Sequence, residues 1–206
     1  MKFKLYHYWR SSSSWRVRMA LAYKGIAPEY VAVDLLNGES ESEEHRARNP
    51  LGYVPALEVD GKVLIESMAI VEFLDEMMPE KKLVAGNPFQ KANIRAMCEI
   101  INAGTQPIQN VPVVEYYSND IQKRKEWIQH FVGRGLEAFE QMLSSSGRKY
   151  CMGNEITAAD FFLIPQCYNA IRYEMDLEKF PNINKINQNV LQLNCVLQTH
   201  PDRFKP

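Results

Sequence analysis

The sequence predicts an α/β amino-terminal domain followed by an all-helical carboxyl-terminal domain. That expectation rests on strand-like runs alternating with helical patterns in the order βαβ then ββα over residues 1–80, and on the lack of any convincing strand afterwards. Between the two lies a polar stretch from Glu80 to Pro88 that reads as a linker. The expected domains are therefore residues 1–80 and 88–206.

Residues 3 to 8 (FKLYHY) form a short aromatic-rich run with strand propensity. Four serines follow, then a helical pattern from Trp15 to Lys24 closed by Gly25. Serine hydroxyls suit an N-cap because they accept bonds from unpaired first-turn N–H groups, and glycine suits the left-handed residue past the last turn. Glu29 to Val33 reads as a second strand, parallel to the first through a right-handed crossover. The polar segment Glu39 to Arg48, ended by Asn49-Pro50, is a short helix or an ordered loop.

Ala56–Val59 and Lys62–Ile65 flank Asp60-Gly61, a strong signal for a type I′ hairpin, so these strands are antiparallel. Ser67 is placed as the cap of a helix whose apolar face holds Ile70, Phe73, Leu74 and Met77, stopped by Pro79. Beyond the linker, Ile94, Met97 and Ile101 keep helical spacing and Pro107 kinks or ends that helix. Ile121, Ile128, Phe131, Phe139 and Leu143 mark a long helix; Thr157 to Asp160 forms a capping box ahead of FFLIP. Ile183, Ile186, Val190, Leu193 and Leu197 read as the stripe of one final helix.

Composition narrows the function classes. A formal charge of −1 without any Lys/Arg run argues against a nucleic-acid partner. Lys2, Lys4 and Arg10 interrupt what would be the apolar core of a secretory signal, and no run reaches the roughly 18 apolar residues of a membrane span. Cys98, Cys151, Cys167 and Cys195 are scattered, without C-x-x-C or metal-ligand spacing, which fits reduced thiols of a soluble cytoplasmic protein and no metal.

Arg10-Ser11-Ser12-Ser13-Ser14-Trp15-Arg16-Val17-Arg18 is the most informative stretch. It places hydroxyls where a strand ends and a helix begins, a junction whose free N–H groups and dipole favour an anion, including a thiolate. The same serines also suffice as a simple cap.

SSSSWRVRMAL resembles the signature of the zeta class of glutathione transferases, in which Ser-Ser-Cys precedes x-Trp-Arg-Val-Arg. The resemblance continues through Asn49-Pro50, Val54-Pro55, Glu66-Ser67 and Gly153 to Asp160, covering essentially the whole chain. It implies a thioredoxin-like amino-terminal domain that binds glutathione, a helical domain shaping the second substrate site, and a homodimer. By the same resemblance Ser11 activates the glutathione thiol with Ser12 and Ser13 in support, and Val54 with a cis Pro55 pairs with the cysteinyl part. Glu66 and Ser67 would receive the γ-glutamyl end, and Gln106 would contact glutathione. Arg10 and Arg172 would orient a small acidic substrate, since a guanidinium can fork onto a carboxylate. Ordinary surface roles remain open for Gln106, Arg10 and Arg172. The chain departs from the signature at Ser13, where the class carries cysteine. The implied activity is isomerisation of maleylacetoacetate or a similar maleyl dicarboxylate; conjugation or dehalogenation of electrophilic acids and a non-catalytic interaction module are the alternatives.

Overall fold

The computed structural model describes residues 1–143 and 149–206. The chain folds as two compact units, Met1–Leu83 together with Asn194–Pro206, and Val84–Leu193.

The first unit contains β1 (Phe3–His7), α1 (Ser12–Tyr23), β2 (Glu29–Ala32), a 3₁₀ turn (Glu39–Glu41), α2 (Glu43–Arg48), β3 (Ala56–Val59), β4 (Lys62–Ile65) and α3 (Ser67–Met77). The strands form one sheet in the order β2-β1-β3-β4. β1 pairs parallel with β2 and antiparallel with β3, which pairs antiparallel with β4. This is the expected thioredoxin-like βαβ-ββα arrangement. Asp60 and Gly61 both have positive φ, 47° and 82°, as a type I′ turn requires. Leu5, Leu57, Val17, Leu21, Ile70, Val71 and Leu74 are fully buried, with α1 packed against α3.

Two details of α3 differ from expectation. Glu66, with φ of 66°, occupies the cap position, and Ser67 is already the first helical residue. Its hydroxyl instead accepts a hydrogen bond from Arg16. Val71 lies in the core while Met77 is 38% exposed, so the buried face is rotated from the one the spacing suggested.

The second unit is helical: α4 (Pro88–Asn102), a 3₁₀ turn (Gln106–Gln109), α5 (Val111–Tyr117), α6 (Ile121–Met142), α7 (Ala158–Arg172) and α8 (Pro181–Val190). Asn87 caps α4 through a reciprocal box with Gln90. In α6 the core is made by Ile128, Val132, Leu136 and Phe139, whereas Ile121 is 80% exposed. Asp160 closes the box of α7, accepting from the Thr157 and Cys151 N–H groups while fully buried.

The final stripe is not one helix. α8 stops at Val190, and a separate short helix, α9 (Asn194–Leu197), belongs to the first unit. Residues 194–206 thus differ from the expected 88–206 domain because their partners are in α1: Trp15 Nε1 donates to Thr199 Oγ1 (3.2 Å) and Arg18 Nε to the Thr199 carbonyl (3.3 Å). A period of three and four residues fixes a face; it does not report whether the helix is continuous.

Candidate active site

Strand direction assembles the site. β1 and β4 are both antiparallel to β3 and so run the same way. α1 leaves the carboxyl end of β1, α3 leaves the carboxyl end of β4, and Val54-Pro55 enters β3 at Ala56, the residue paired with both Tyr6 and Ile65. One sheet edge therefore carries the serine run, Val54-Pro55 and Glu66-Ser67, although they are far apart in sequence.

Ser11 is the N-cap of α1 and only partly exposed. Its Oγ accepts from the Ser14 N–H at 3.2 Å, which occupies a lone pair and leaves the hydroxyl proton to donate elsewhere. Ser12 is buried and Ser13 half-buried in the first turn, whose N–H groups precede the first intrahelical acceptor. Arg10, half-buried, holds its guanidinium 5.4 Å from the Trp9 ring centroid.

Behind this loop stands Arg18, fully buried. Its Nη1 and Nη2 donate to the Tyr8 and Trp9 carbonyls at 3.3 and 2.9 Å, fixing the backbone just before Arg10 and Ser11. Nη1 also meets His7 Nδ1 at 3.0 Å, and the Phe204 ring lies 4.7 Å from the guanidinium. Burial lowers the Arg18 pKa to about 10; burial, then the Arg18 charge, lowers that of His7 to about 3, so His7 is neutral and accepts.

The Val54-Pro55 bond is cis, as the resemblance implied. The Tyr53 carbonyl accepts from His45 Nε2 (2.9 Å) and Asn49 Nδ2 (3.0 Å). Because a trans peptide points its N–H opposite to its C=O, the Val54 N–H faces away from those two side chains. Glu66 is exposed, whereas Ser67 is buried against Arg16.

Gln106 and Arg172 lie in the second unit. Gln106 Nε2 donates to Asn110 Oδ1 (2.6 Å), and Arg172, exposed at the end of α7, donates to Asn169 Oδ1 (3.0 Å). A reciprocal amide pair, Gln109 with Gln166, ties the turn carrying Gln106 to the helix carrying Arg172. Among the described residues no cluster of His, Cys, Asp or Glu could hold a metal ion.

Sequence reasoning missed Arg16, Arg18, His45 and Asn49 as parts of this frame. A signal for the arginines existed: two charges, two positions apart, within an otherwise largely apolar helix must be either exposed or paired.

Comparison with known proteins identifies the frame. The family model for the glutathione S-transferase N-terminal domain matches residues 1–76, and that for the C-terminal domain matches residues 108–196. The chain belongs to the glutathione S-transferase family. A probable maleylacetoacetate isomerase 1 of Drosophila melanogaster is 41% identical over 96% of this chain and 80% of its own length. The maleylacetoacetate isomerase of Mus musculus is 40% identical over 97% of this chain and 92% of its own. Among solved structures, a maleylacetoacetate isomerase from Anaeromyxobacter dehalogenans with glutathione bound in its active site superposes with a TM-score of 0.88 at 43% identity, covering 100% of this chain and 97% of that one. A zeta-class bacterial glutathione S-transferase, maleyl pyruvate isomerase, superposes at 0.92 with 33% identity over 96% of each chain.

Proposed function

We propose that this glutathione S-transferase is a glutathione-dependent cis–trans isomerase of maleylacetoacetate or a similar maleyl dicarboxylate. The observation that carries the reading is the Ser11 cap set beside Glu66 and Ser67 on one sheet edge, in a frame shared along nearly its whole length with maleylacetoacetate isomerases.

The residues fit the tripeptide. Ser11 retains a proton for a sulfur anion, and the α1 amino end adds its dipole, so a bound thiol would titrate below its ordinary value of about 8.5. The Val54 backbone offers a strand-like edge to the cysteinyl segment. The Ser67 hydroxyl and the first-turn N–H groups of α3 suit the γ-glutamyl carboxylate, and the exposed Glu66 suits its ammonium group. Gln106 is assigned a further polar contact.

Bound glutathione supplies a thiolate that adds to the cis double bond, frees it to rotate, and leaves again, so none is consumed. Arg10 and Arg172 orient the substrate carboxylates, and the Ser12 and Ser13 N–H groups support developing negative charge. An acidic ligand also suits relatives: one structure of the Anaeromyxobacter enzyme holds dicarboxyethyl glutathione and citrate.

The test is an assay with maleylacetoacetate, with and without glutathione, that follows the thiol titre. Glutathione-dependent isomerisation at constant titre is expected. Mole-for-mole loss of thiol would make the protein a conjugating or dehalogenating transferase, and no turnover with no retention on immobilised glutathione would make it an interaction module.

The protein is further assigned to the cytoplasm as a homodimer. Four free cysteines and the absence, among the described residues, of a helix long and apolar enough to cross a membrane suit that compartment. Leu51, Tyr53 and Val63 leave apolar surface exposed on the first unit. Sedimentation at micromolar concentration tests the dimer, and a monomer there would refute it.

A further inference from the structure

The last residues of the chain reach the thiol end of the site through Arg18. Thr199, only 2% exposed, lies in the segment Asn194–Pro206, which packs in the first unit although the whole second unit precedes it in sequence. Its hydroxyl accepts from Trp15 Nε1 and donates to the Cys195 carbonyl at 2.6 Å, and its own carbonyl accepts from Arg18 Nε. Phe204, half-buried, sets its ring 4.7 Å from the Arg18 guanidinium and makes edge contacts with Tyr30 and His7, at centroid distances of 4.8 and 5.3 Å. A guanidinium is planar and carries its donors in a fixed fork. Holding Nε at Thr199 and one face at Phe204 therefore fixes the plane in which Nη1 and Nη2 point. Those two donors end on the Tyr8 and Trp9 carbonyls at 3.3 and 2.9 Å. The Tyr8 carbonyl also accepts the Ser11 N–H at 3.1 Å, so the guanidinium and the cap residue of α1 share one oxygen. A displacement of that oxygen moves the Ser11 backbone and, with it, the hydroxyl.

We propose that the carboxyl-terminal segment positions the thiol-activating hydroxyl, with Arg18 as the positioning residue that couples the two: Thr199 and Phe204 set the plane of the guanidinium, and the guanidinium sets the turn that carries Ser11. The inference rests on the assignment of thiol activation to Ser11. It goes beyond that assignment by making residues at the far end of the chain determinants of where the hydroxyl stands. Arg18 acts here through the geometry of its fork on two backbone carbonyls, so a point charge in its place does not substitute for it.

The test follows thiolate absorbance of bound glutathione against pH in the intact protein, beside calorimetric titration with glutathione and with S-methylglutathione, which has no thiol proton to lose. Arg18→Lys keeps the charge and loses the fork. It is expected to raise the pKa of the bound thiol by about one unit and to lower kcat near neutral pH about tenfold, the scale of a sub-ångström misplacement of a catalytic group. Phe204→Ala leaves every hydrogen-bond partner of Arg18 in place and should shift both quantities the same way by less; it carries the comparison should Arg18→Lys not fold. Both variants should bind S-methylglutathione as wild type does. A wild-type thiol titration in Phe204→Ala, or equal weakening toward both ligands, overturns the proposal. Ser11→Ala distinguishes this outcome from failure of the reading beneath it. If Ser11→Ala also titrates like wild type, the activating hydroxyl lies elsewhere and the assignment to Ser11 falls. If it shifts upward while Phe204→Ala does not, only the role of the carboxyl-terminal segment is lost.

Discussion

Ser11 has two jobs that one hydroxyl can perform together, because capping uses a lone pair and thiolate stabilisation uses the proton. Substitution can separate them. Ser11→Ala removes both and is expected to lower helix stability by about 1 kcal/mol. It should also raise the pKa of bound glutathione by roughly one to two units, the equivalent of a charge-assisted bond of about 1.5 to 3 kcal/mol. Ser11→Asp keeps an acceptor for the Ser14 N–H but has no proton to give at neutral pH. It should therefore fold as well as wild type while losing thiolate absorbance at least as severely as Ser11→Ala. Thiolate absorbance against pH for each variant, beside its urea midpoint, checks both halves. A wild-type thiol titration in Ser11→Ala would move the activating role to another hydroxyl. At Ser13 the proposed support comes from a backbone N–H, which alanine retains, so Ser13→Ala should leave that titration near wild type.

Among the elements, α6 carries two glycines that look alike in sequence and differ in surroundings. A Cβ built on Gly135 would fall 2.0 Å from Thr105 Oγ1, and Thr105 is fully buried and bonded to the Ile100 carbonyl at 2.7 Å. A Cβ on Gly133 would meet Met175 Cε at 3.7 Å, an ordinary contact. Gly135→Ala is thus expected to destabilise by about 1 to 3 kcal/mol through overpacking. Gly133→Ala should stabilise by about 0.5 to 1 kcal/mol, since alanine is the better helix former and has room. Thermal unfolding of the two variants gives opposite shifts if α6 meets the Thr105 turn in this way; shifts of the same sign would contradict the packing.

At the scale of the whole molecule, His7 links the carboxyl terminus to acid stability. It lies under Tyr30 and Phe204, with ring centroids 5.3 Å away in each case, and against Arg18. Its folded pKa is lowered to about 3, first by burial and then by the Arg18 charge. Between about pH 6.5 and pH 3 the unfolded chain therefore binds a proton that the folded chain refuses. Stability is full above that window and falls as pH drops, by about 1.4 kcal/mol per unit, or about 2 kcal/mol from pH 7 to pH 5. Urea unfolding at both pH values should show this loss in wild type and a loss smaller by that amount in His7→Gln. Identical pH dependence in both proteins would mean that His7 is protonated in the folded state.

What the sequence determined by itself was local or borne on a contiguous motif. The hairpin was set by Asp60-Gly61, the cap of α1 lay within the serine run, the box of α7 by Thr157 and Asp160, and the family by the SSSSWRVRMAL stretch. Each of these depends on residues within a few positions of one another, where hydrogen-bond reach and φ preference act directly. The tertiary structure decided what distant partners impose. Ser67 is the first helical residue because Glu66, at φ of 66°, takes the cap position, and the Ser67 oxygen accepts from Arg16 on another helix; Leu197 left the last helical stripe because Thr199, two residues on, bonds to α1. Only the sheet's strand directions brought Ser11, Val54-Pro55 and Glu66-Ser67 to one edge. Periodicity reports which face of an element is apolar; which buried charge completes which hydroxyl is settled only when the elements pack, because desolvating an arginine requires that its donors find acceptors wherever the fold supplies them.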